Sequence, residues 1–127
     1  MKDAEGVKNV LSVLQKVGHD DVLLVISAMG KTTNALEVVI KHYFEKSAEL
    51  KASIQEVRKY HNQILLELFE DDKHPVYRAV NAHFEELDYF LSHNKSPNYN
   101  FVYDQVVSYG EIISTTIVSH YFNHSNL

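Results

Sequence analysis

The chain has 127 residues, 45% of them hydrophobic and 23% charged, with a formal net charge of -5. This is an ordinary globular composition of one-domain length, which excludes a disordered or collagen-like chain. The acidic balance excludes the basic face that nucleic-acid binding normally needs, and the absence of cysteine excludes disulfides and thiolate chemistry. Apolar runs stay short of the roughly 18 residues that a membrane-spanning helix requires, and the first residues lack a secretory pattern. The composition therefore predicts a cytoplasmic protein that binds neither membrane nor nucleic acid.

In residues 3–17, Val7, Val10, Leu11, Leu14 and Val17 recur at three- and four-residue steps, which predicts an amphipathic helix with Asp3 as N-cap and Gly18 as its stop. Residues 21–27 form a short, mostly β-branched run, the pattern of a strand covered on both faces in a parallel sheet. A turn of small residues from Ala28 to Asn34 follows, and Leu36, Val39, Ile40, Tyr43 and Phe44 then return to helical spacing. Leu50, Ile54, Val57, His61, Ile64, Leu65 and Leu68 mark a second helical stretch, and Val76, Val80, Phe84, Leu87 and Leu91 a third. The polar residues 70–75 separate them, with Pro75 suited to a first helical turn, so residues 49–92 read as an antiparallel helical hairpin. Residues 92–98 predict a loop. A last helix through Phe101, Val102, Val106 and Val107 is expected to break at Ser108-Tyr109-Gly110 and resume through Ile112, Ile113, Ile117 and Tyr121.

A lone interior strand leaves its backbone donors and acceptors without partners. Neighbouring strands are therefore expected from outside these residues or from a second copy of the chain, which predicts a homo-oligomer.

Two turns carry the chemistry. A chain leaving a parallel strand for a helix exposes backbone N–H groups at the helix N-terminus, a place suited to anions. Here Ser27, Ala28 and Gly30 allow close approach, Lys31 supplies charge, and Thr32 and Thr33 supply hydroxyls. A tight connection capped by Thr33 or Asn34 explains the same residues. A phosphate-binding P-loop does not, because Val25 stands where that motif needs its first glycine. In the second turn, Ser108-Tyr109-Gly110-Glu111, the carboxylate either complements a helix N-terminus or meets a ligand ammonium. The eight histidines yield one metal-like spacing, His120 and His124, without the glutamate of a His-Glu-x-x-His site, so no metal ligand is assigned. His61 falls on an apolar stripe and reads as a core or interface histidine.

The run VLLVISAMGKTTNAL at residues 22–36, followed by VVSYGEIISTTIVSHYFN at residues 106–123, resembles the amino-acid-kinase domain of aspartate kinases. The resemblance extends to the intervening hairpin and to the helix beginning DAEGVKNV. It implies an α/β fold, a three-layer α/β/α sandwich, of which these residues would be a mostly helical part with one strong strand at 21–27, truncated at both ends. It also implies a phosphotransferase that uses Mg-ATP to phosphorylate the side-chain carboxylate of L-aspartate on the route to lysine, threonine and methionine. By the same resemblance Ser27, Ala28 and Met29 line the aspartate pocket, Thr33 offers its hydroxyl and Glu111 meets the substrate ammonium. Gly30, Gly110 and Ser114 support the loops.

The family's first strand, ending Lys-Phe-Gly-Gly-Thr-Ser, has no counterpart here. No catalytic residue is therefore assigned, ATP and Mg are not expected to bind well, and the chain is expected to be inactive by itself. The alternative expectation is a non-catalytic helical oligomerisation module, since Leu50, Ile54, Val57, His61, Leu65 and Leu68 approach a heptad seam.

Overall fold

The computed structural model describes residues 3–17 and 27–124. Among these residues five helices follow one another: α1 (Ala4–Val17), α2 (Thr32–Phe44), α3 (Leu50–Leu68), α4 (Pro75–His93) and α5 (Tyr99–His124). Asp3 caps α1 as its sequence position predicts, its carboxylate accepting from the Gly6 N–H at 3.0 Å. The Gly18 stop lies outside the described residues.

Helix α2 ends where Lys46 enters the left-handed region at φ 54°. The Ser47 N–H then reaches the His42 carbonyl at 3.0 Å, and the Lys46 N–H the Tyr43 carbonyl at 3.2 Å. This closes the helix in a Schellman motif without the usual glycine. Between α3 and α4, Arg58 bonds Asn81 at 3.4 Å and the His61 ring lies 5.9 Å from that of Phe84. The start of α3 at Leu50, Lys51 and Ile54 lines one recess with the end of α4 at Asp88, Leu91 and Ser92, while the Tyr77 hydroxyl near the start of α4 reaches the Phe69 carbonyl just past the end of α3, so the two helices are antiparallel, with Pro75 in the first turn of α4.

Helix α2 packs on α3 and α5, α4 packs on the same two, and α1 lies against α3. Four helices thus close a ring around one core that includes Leu36, Ile40, Leu65, Phe84, Leu87, Ile113 and Ile117, all inaccessible to solvent. Each such side chain contributes about 1.5–3 kcal/mol when fully buried, so shared burial of the apolar faces fixes where the helices sit.

Two expectations are corrected. The α/β sandwich with its strong strand is overturned, because the described residues form helices alone, with no strand and no sheet among them. The predicted strand at 21–27 lies outside the described residues except for Ser27, which sits in irregular backbone. The physical reason is that the amphipathic helices cover one another's apolar faces in the ring, leaving no face that a sheet must fill. The expected break at residues 108–110 is absent as well: α5 runs unbroken for 26 residues through Gly110. Glu111 is consequently a mid-helix residue and cannot act on a helix N-terminus.

Among the described residues no helix is long and apolar enough to cross a membrane.

Candidate functional site

The two turns singled out in the sequence meet in space. Residues 27–31 lead into α2, with Gly30 at φ 51°, a left-handed conformation that glycine adopts without strain. The Thr32 N–H donates to the Met29 carbonyl at 2.9 Å, and the Thr32 hydroxyl donates to the same oxygen. Met29 and Thr32 are both buried, which anchors the turn from beneath. Lys31, rather than Thr33 or Asn34, occupies the N-cap position and makes no side-chain cap.

Helix α5 closes over this turn. The Ser114 hydroxyl, itself buried, donates to the Ser27 carbonyl at 2.7 Å. One turn earlier, Gly110 lies so close that a Cβ placed on it would stand 3.1 Å from the Ala28 Cβ, 3.3 Å from Leu36 Cδ1 and 3.4 Å from Thr32 Cγ2. The glycine that suggested a helix break is instead a site of close helix-to-turn approach. Its helix-propensity penalty of about 1 kcal/mol is offset by that contact.

Ser27, Ala28, Gly110 and Ser114 are therefore brought together, with Met29 packed below. Thr33 is half-buried in the first turn of α2, and Glu111 is exposed beside Gly110. No hydrogen bond or ion pair joins these two. Tyr109, half-buried in the second motif, keeps its proton to higher pH than an ordinary tyrosine, first because of burial and then because of the nearby Glu86 carboxylate.

The sequence did not reveal what underlies the turn. His61 is fully buried. Its Nδ1–H donates to the Val57 carbonyl at 2.8 Å, and its Nε2 lies 3.5 Å from the Thr32 hydroxyl oxygen. Burial pushes its pKa below the ordinary 6.5, partly opposed by the bond to Val57. A neutral imidazole thus backs the first residue of α2. A recess of about 220 Å³ opens alongside, lined by Lys31, Thr32, Ala35, Glu56, Val57 and Tyr60. Glu56 and Tyr60 belong to the hairpin and follow no motif, so only the three-dimensional packing brings them to the turn.

Among the described residues no group of three or more histidine or carboxylate side chains could hold a metal ion. The site thus offers hydroxyls, backbone groups and single charges of each sign, a set suited to holding a small polar molecule. No protein-family model matches the chain, and no curated protein matches it.

Proposed function

We propose that this chain carries the amino-acid-holding part of an aspartate kinase site and does not itself transfer a phosphoryl group. The observation that carries the reading is the meeting of the two motif turns through Ser114, Ser27, Gly110 and Ala28. Residues 82 and 87 positions apart share no local reason to touch, so their contact brings the paired motifs to one place. Ser27, Ala28 and Thr33 would contact L-aspartate from one side, with Met29 supporting them from beneath and Glu111 accepting from the ammonium. The adjacent recess adds Lys31 and Glu56, charges of both signs that suit a zwitterion.

The residues present do not fit Mg-ATP. Phosphoryl transfer needs cations and metal-bridged phosphates, whereas the sequence has no Lys-Phe-Gly-Gly-Thr-Ser segment and no histidine or carboxylate group of three or more that could hold a metal ion stands among the described residues. The role is confined to orienting the amino acid, in the cytoplasm where such biosynthesis proceeds.

Titration with L-aspartate, followed through the backbone amides of residues 28–33, tests this reading. Wild type is expected to respond and Glu111→Ala to bind about tenfold more weakly, the loss of one charge-assisted hydrogen bond. Equal responses would remove Glu111 from the site, and a wild type unmoved by millimolar aspartate would sink the reading. Aspartate-dependent ATP turnover by this chain would overturn its restriction to binding.

A second reading, a self-associating helical module, is favoured by exposed aromatic residues. Phe44, Tyr99 and Phe101 are 36%, 53% and 44% exposed, and the Phe44 and Tyr99 rings lie 5.3 Å apart. Concentration-dependent association of a chain that ignores aspartate would select this reading.

A further inference from the structure

Far from the turn, three histidines from two elements converge on one corner. His74 precedes α4, and its ring lies 6.0 Å from that of His120 and 5.3 Å from that of His124, both on α5. Phe69, buried at the end of α3, stacks beneath them, 4.5 Å from His74 and 5.6 Å from His124. Tyr121 completes the floor, 6.0 Å from Phe69.

The hydrogen bonds decide the proton positions. His74 Nδ1 accepts from the Val76 N–H at 3.0 Å, which makes this histidine the N-cap of α4. A proton on Nδ1 would destroy that cap, and a cation there would oppose the positive end of the helix. On α5, His124 lies in the last turn, and the His120 Nδ1–H donates to the Thr116 carbonyl at 2.8 Å.

We propose that His74, His120 and His124 form a pH-operated clasp, which holds the C-terminal turns of α5 against the α3–α4 corner while His74 is neutral and releases them when His74 is protonated.

The groups facing His74 are of mixed effect. From the connection come Asp71, Asp72 and Lys73, from α4 Tyr77, Arg78 and Glu85, and from α5 His120 and His124. The Asp71 carboxylate favours a proton on His74, but burial and the two facing histidines outweigh it and hold the His74 pKa below the ordinary 6.5. The sign follows from linkage. Once α5 is released, His74 binds its proton near pH 6.5, whereas the closed clasp resists protonation until lower pH. The clasp is therefore stable above about pH 6.5 and weakens as pH falls below it.

Hydrogen exchange on the full chain at pH 7.5 and pH 5, corrected for intrinsic rates, tests the clasp. Local opening at the Val76 amide and at residues 118–124 is expected to rise about fivefold at pH 5, the factor typical of a lost N-cap. His74→Asn, which caps without titrating, is expected to abolish the rise. Protection unchanged between the two pH values, or an equal rise in His74→Asn, would overturn the proposal. Should that variant fail to fold, ring titrations of the wild type decide. A His74 midpoint below 6.5 shared by the Val76 amide supports the clasp, and independent midpoints refute it. The outcome does not bear on aspartate binding.

Discussion

Besides its packing in the core, helix α5 makes two contacts of opposite character, about 15 Å apart along its axis from Ser114 to His124. At Gly110 and Ser114 the contact with the Ser27 turn is made by small side chains and one short hydrogen bond between uncharged groups. At His120 and His124 the contact with the α3–α4 corner is made by imidazole rings set against that of His74. The first is held by shape and the second by protonation state. One helix can therefore keep the Ser27 turn ordered while its end answers to acid.

The hairpin is the platform common to both contacts, and removing its central side chain should damage both. Phe84 is fully buried on α4, with His61 against its edge and Arg58 over its ring at 5.4 Å. Phe84→Ala is expected to lower stability by about 3–5 kcal/mol, read by urea denaturation. Hydrogen exchange should show the Ser27 turn and the histidine corner loosening together. A corner that keeps its protection while the turn opens would show that the two contacts do not share a platform.

Most of this platform was legible in the sequence. Of the residues chosen on helical spacing, Leu36, Val39, Ile40, Val76, Val80, Phe84, Leu87 and Leu91 are buried, whereas Tyr43 and Leu50 are half-buried and Phe44 is exposed. The hairpin expected at 49–92 corresponds to α3 and α4. Periodicity succeeds here because one face of each helix meets one core. It fails where a residue's reason lies in another element. Gly110 read as a helix break because its neighbour Ala28 is 82 positions away, and the α/β expectation came from the family resemblance, with one apolar run as its strand, whereas the described residues form a helical ring. The end of α2 was hidden because Lys46, not glycine, takes the left-handed position. His74 was missed as a cap because imidazole is not among the usual capping side chains, and its partners on α5 lie more than 45 residues away. Of the site, the two turns and the core character of His61 were legible, while the place of His61 beneath the turn, and of Glu56 and Tyr60 beside it, was not.

The turn contact can be broken without touching the corner. Gly110→Val would drive a branched side chain into Ala28, Leu36 and Thr32. Overpacking of this kind costs about 1–3 kcal/mol, and the few tenths that valine gains over glycine in helix propensity do not offset it. Exchange should accelerate at residues 28–32 while the Val76 amide keeps its pH response. Loss of that response would mean that α5 moves as one rigid rod, so that the two contacts report a single motion.

Ser114→Ala separates the two forces within the turn contact itself. It deletes the bond to the Ser27 carbonyl but leaves the fit of Gly110 against Ala28, at an expected cost of about 0.5–1.5 kcal/mol. The Ser27 residue is exposed and its carbonyl can turn to water, which keeps the loss near the lower figure. Thermal unfolding of both variants gives the order. If Ser114→Ala proves more damaging than Gly110→Val, the turn is held by its polar bond, and packing only follows. The expected order is the reverse, because a displaced helix loses many contacts at once and a missing hydroxyl loses one.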